Sequence, residues 1–94
     1  MNLKNSHSAE KPVSAIPLFK GEGIATTLQI LQNQQLKEHT TKVPALLICV
    51  AGEVVFENEK GIKETLQSGD YIHIAPLVKH WVVGNFDSQL ILLK

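Results

Sequence analysis

The histidines at positions 39 and 80 are the side chains of this sequence best placed to do chemistry. His80 closes the run Gly69-Asp70-Tyr71-Ile72-His73-Ile74-Ala75-Pro76-Leu77-Val78-Lys79-His80, and His39 precedes Gly52 by thirteen residues. An imidazole titrates near neutrality and offers a lone pair. A convergent pair can therefore pass a proton or hold a divalent transition metal. Three other candidates carry less. His7 lies in a polar lead-in and is expected to be solvated. His73, between Ile72 and Ile74, is expected on a surface or an interface. Cys49 is expected as a small buried hydrophobe, since a reactive thiol needs a cation close by.

These residues need elements to position them. Turn residues and short apolar runs alternate from Val13 to the C-terminus, without helical periodicity. The runs are Val13-Phe19 (broken by Pro17), Ile24-Leu31, Ala45-Ala51, Val54-Glu57, Ile62-Leu66, Tyr71-Ile74, His80-Val83 and Gln89-Leu93. Strands at this spacing predict an all-β sandwich or barrel over residues 13–94, with residues 1–12 as a flexible lead-in. No helix longer than about two turns is expected. Leu46-Val50, Ile72-Ile74 and Leu90-Leu93 are apolar on both faces. One face fills the interior, and a second copy of the chain is the expected cover for the other.

Composition excludes several function classes. Nine basic residues balance nine acidic ones, and every basic residue is a lysine. No basic patch points to nucleic acid, and no guanidinium fork is present to clamp a phosphate or carboxylate. The single cysteine rules out an internal disulfide framework and fits a reducing compartment. Neither a signal-peptide core nor a membrane span is visible, so the expected location is the cytoplasm.

The segment from Gly69 to His80 resembles the second signature of the cupin family, and His39 with Gly52 resembles the first. The likeness runs from about Gln35 to Asn85. It implies a double-stranded β-helix, the jelly-roll barrel of that family, with His39 and His80 at two of its four metal-ligand positions. The other two positions, a second His and a Glu in the family, hold Thr41 and Ala45. In the second signature Ala75, Leu77 and Gly84 replace a Pro, a Gly and an Asn. Losing the carboxylate removes the one anionic ligand, and two imidazoles alone cannot enclose an ion. No resident cofactor is expected, only a weakly bound divalent transition metal on His39 and His80.

Strand alternation from an inward Ala45 places Leu47, Cys49 and Ala51 on the same side. With His39, Thr41, His80 and Val82, the residues Ala45, Leu47 and Cys49 are the expected lining of a hydrophobic pocket. No carboxylate falls among them to act as a general base. Trp81 and Val83 then point outward, Trp81 as the expected anchor of a homodimer. Cover by the N-terminal arm through Phe19 is the alternative. The expected function is a non-catalytic or weakly metal-binding module for a small, largely apolar ligand. A metal-dependent cupin enzyme, of dioxygenase, isomerase or decarboxylase class, using His39 and His80 is the alternative.

Overall fold

A computed structural model describes all 94 residues. Nine strands follow a short 3₁₀ helix at Leu3–Ser6: β1 Val13–Lys20, β2 Ile24–Ile30, β3 Gln35–His39, β4 Ala45–Ala51, β5 Glu53–Asn58, β6 Lys63–Gln67, β7 Tyr71–Ile74, β8 His80–Gly84 and β9 Ser88–Leu93. They form two sheets, β1-β2-β9-β4-β7 and β3-β8-β5-β6, in which every pair is antiparallel. The expected all-β jelly roll is what the chain adopts.

Period-two alternation builds the core, because only one face of each strand can reach the space between the sheets. From the first sheet come Leu28, Ile30, Leu47, Cys49, Ile74 and Leu90; from the second come Val54, Phe56, Leu66 and Val82. Local chemistry shapes the turns. At the β5–β6 hairpin the Asn58 carboxamide oxygen accepts from the Lys60 and Ile62 amides, and Gly61 takes φ 86°. Side-chain capping and a left-handed glycine together reverse the chain without orphaned donors.

Three expectations need correction. The strand β3 escaped prediction because Gln35, Lys37, Glu38 and His39 leave only Leu36 as an apolar signal. It is an edge strand that pairs with β8 alone, with a break in register between Leu36 and His39. Ala51 does not share the inward face of Leu47 and Cys49, because the register with β9 shifts between Cys49 and Ala51 and leaves Ala51 exposed. His7 is not a solvated tail residue; it is only 8% exposed. Its Nδ1 bonds with the Ser14 hydroxyl and its Nε2 lies 3.1 Å from the Thr27 hydroxyl. Gln29 fastens the same segment by donating to the Ser8 and Lys11 carbonyls at 3.0 and 3.1 Å. Ser14, Gln29 and Gln89 form a polar row on the outer face of the five-stranded sheet; the N-terminal segment bonds with Ser14 and Gln29, and Gln89 donates to the Gln29 carboxamide oxygen at 2.9 Å.

Candidate functional site

His80 begins β8 and His39 ends β3, so the register of these two strands sets the rings side by side. The Nε2 atoms stand 2.9 Å apart and the ring centroids 4.1 Å, at 63°. His39 is half-buried and His80 only 2% exposed, its ring stacked on Phe56 at 5.6 Å. Both Nδ1 atoms are held by backbone carbonyls two residues back: Lys37 at 2.8 Å for His39, Val78 at 3.1 Å for His80. Anchoring Nδ1 to a carbonyl turns the Nε2 lone pair toward the partner ring.

Counting protons exposes the character of this pair. Three contacts, two N–H···O and one N–H···N, need three protons, whereas two neutral imidazoles bring two. A third proton or an external cation between the Nε2 atoms satisfies all three. Burial holds the His80 pKa below the usual imidazole range; the Val78 carbonyl opposes this, and the charges of His39 and Lys94 add to it.

That shift has a consequence for stability. The unfolded chain takes up a proton near the usual imidazole value of about 6.5, and folded His80 only at lower pH. The stability contributed by neutral His80 is fully present above that value and lost as pH falls toward the folded one. Burial lowers His7 as well, with the same sign. The urea midpoint is expected to drop between about pH 7.5 and pH 5.5, and the drop should shrink in the His7→Asn, His80→Gln double variant. A midpoint flat over this range would contradict this account.

Between the sheets beside the pair is a cavity of about 10 Å³, lined by Leu28, Leu36, His39, Leu47, Ile74, His80, Val82 and Leu92. Such a space holds about one water. Of the expected pocket residues, His39, Leu47, His80 and Val82 meet here. Thr41, Ala45 and Cys49 do not line it. Thr41 is buried, with its hydroxyl donating to the Val43 carbonyl at 2.8 Å. Ala45 faces inward beside Ile74 but also edges an outer groove. Cys49 is fully buried in the core, and burial pushes its thiol up, the charge of Asp70 adding to that. Leu28, Leu36, Ile74 and Leu92 were missed. Alternation could have found Leu92 and Leu28 once their strands were registered, but Leu36 lies in the strand that gave no apolar signal.

These residues do not fit a tightly held resident metal. Two nitrogens about 2.1 Å from one ion and at right angles stand about 3 Å apart, so the imidazole pair itself is suitably spaced. No third His, Cys, Asp or Glu joins it, and the cavity has no room for the waters that would complete a shell.

The loop carrying His80 keeps a trace of the family pattern. Leu77, at the position of the signature's second Gly, has φ 63°, where a side chain costs about 1–2 kcal/mol. It is 74% exposed, so its removal loses little packing. The Leu77→Gly variant is expected to gain stability by about 0.5 kcal/mol after the extra freedom of unfolded glycine is subtracted. A lower urea midpoint would refute this.

Trp81 and Val83 do point away from the core and are half-buried. The Trp81 indole N–H donates to the Glu57 carboxylate at 3.1 Å across the β5–β8 pair. Phe19 lies on β1 in the other sheet and is 66% exposed, so it does not cover Trp81.

No family model matches the sequence, and no curated protein resembles it closely enough to match. Solved structures do. A cupin superfamily protein from Desulfitobacterium hafniense superposes with a TM-score of 0.86 at 14% identity, over 98% of this chain and 84% of that one. A cupin-2 domain containing protein from Shewanella frigidimarina gives 0.81 at 13% identity, over 100% and 92%. An RmlC-like cupin family protein with a double-stranded β-helix fold from Methanocaldococcus jannaschii gives 0.78 at 14%, over 94% and 84%. The nine strands, their order in two sheets and these likenesses give one conclusion: the chain has the double-stranded β-helix fold of the cupin superfamily.

Proposed function

We propose that this chain is a non-catalytic cupin-fold binding module whose recognition element is the His39–His80 pair at an apolar mouth. It binds one small, largely apolar ligand through that pair, and divalent transition metals only weakly. What supports this reading is one arrangement: two Nε2 atoms 2.9 Å apart, both rings anchored through Nδ1, with no carboxylate joining them. A carboxylate-free pair lacks both the anionic ligand that retains a divalent cation and a general base of the usual kind. The 10 Å³ cavity means that a ligand larger than water enters only when the wall moves. The edge strand β3 is the wall held least, since it pairs on one side and breaks register before His39.

The test is metal analysis of protein purified without a histidine tag, followed by nickel titration observed through the histidine NMR signals. Substoichiometric metal is expected as purified. Added nickel should shift His39 and His80 at high concentration, and either His→Ala change should abolish the effect. Tight stoichiometric iron, manganese or zinc would overturn this reading in favour of a metal-dependent enzyme.

A further inference from the structure

Outside the barrel, between the N-terminal segment and the five-stranded sheet, is a polar cavity of about 650 Å³. Small-molecule sites occur at this size. Gln89 and Ala51 reach it from the sheet, Leu31 and Asp87 from the turns after β2 and β8, and Lys4 and Asn5 from the 3₁₀ helix. The bonds of His7 and Gln29 pin the segment and so fix where Lys4 and Asn5 lie.

One acceptor at this cavity is orphaned. Gln89 is 7% exposed, and its Oε1 is buried without a donor. Turning the carboxamide over would not help it. Gln29 gives both Nε2 protons to the Ser8 and Lys11 carbonyls, so its oxygen must face Gln89 and receive Nε2 at 2.9 Å. The next position in the cross-strand row is Ala51, which has no side-chain donor. A buried acceptor left in this way calls for a partner. Two charges at the cavity are also free. Asp87 uses one carboxylate oxygen to cap the Gln32 amide at 2.8 Å, and the chain's one ion pair, Lys79–Glu38, includes neither Asp87 nor Lys4.

We propose that this cavity binds a free α-amino acid, its ammonium group on Gln89 Oε1 and the Asp87 carboxylate, its carboxylate on Lys4. An ammonium group carries three donors and a full charge, which answers two acceptors at once. The ligand's side chain lies against Leu31 and Ala51. A simple amine is disfavoured by Lys4, and a simple carboxylate is disfavoured by Asp87 and leaves Gln89 Oε1 unserved. Because that oxygen is closed to bulk solvent, the ammonium enters beneath the N-terminal segment. The site is separate from the His39–His80 pair, which lies between the sheets.

Titrating the whole chain with each of the twenty proteinogenic L-amino acids tests this, followed by the NMR signals of the Gln89 carboxamide and the histidine rings. At least one is expected to shift Gln89 and His7 saturably, with a dissociation constant below ~1 mM. Propylamine and propionate, each lacking one charge, should bind at least ~10-fold more weakly. Asp87→Asn keeps an oxygen to cap Gln32, and Lys4→Gln changes an exposed residue, so both variants should fold. Each should weaken binding of the same amino acid at least ~10-fold. No shift of Gln89 with any of them at ~10 mM, shifts confined to His39 and His80, or an affinity unchanged in either variant would overturn the proposal.

Discussion

Gly52→Ala is expected to destabilise the fold by at least about 3 kcal/mol, from left-handed backbone strain and overpacking together. Gly52 has φ +87°, a conformation that side chains rarely adopt. A Cβ there would lie 2.4 Å from the Asp87 carbonyl oxygen, 2.4 Å from Ser88 Oγ and 2.8 Å from Ser88 Cα. None of these can yield cheaply. Ser88 is fully buried, and its hydroxyl accepts from the Glu53 amide at 3.0 Å and lies 2.7 Å from the Phe86 carbonyl. Moving it breaks the junction between β4, β5 and β9. Gly69→Ala is the control, with a similar φ of +93° but no atom within 4 Å of its Cβ. It should cost about 1 kcal/mol from conformation alone. Urea melts of both variants decide the matter; equal losses would show that the close approach to Ser88 carries no weight.

Restoring the two missing ligands, with Thr41→His and Ala45→Glu together, is expected to raise nickel or zinc affinity by at least about 100-fold. Two imidazoles give an ion no charge compensation, and a carboxylate supplies it. Ala45 stands on the inward side of β4, opposite Ile74, which lines the cavity beside the histidines. A glutamate there would start beside Ile74 on the inner face of the five-stranded sheet, which faces the sheet carrying His39 and His80. At position 41 the change gives up the hydroxyl's bond to the Val43 carbonyl, a neutral bond of about 1 kcal/mol. Calorimetric titration of wild type, each single variant and the double variant separates the contributions. An unchanged affinity in a folded double variant would mean that ligand count does not limit binding.

Much of this molecule can be read from local pattern. Alternation along Ala45–Cys49 and His80–Val83 tells which side chains turn inward, and burial follows it residue by residue. Gly52 and Gly69 mark left-handed turns, and both have positive φ. Polar Gln35–His39 gave no such signal. Its strand exists because β8 offers unpaired backbone groups, not because of its own side chains.

The sequence by itself determined the all-β fold class and the inward turn of Ala45, Leu47, Cys49 and Val82. These depend on a period of two and on residue type, both local properties. Tertiary structure alone decided that His39 and His80, forty-one residues apart, meet at 2.9 Å. It also decided that the cavity beside them is no larger than about 10 Å³ and that His7 docks on Thr27. Such features arise from register between distant strands and from the volume left after packing, and no local pattern encodes either quantity.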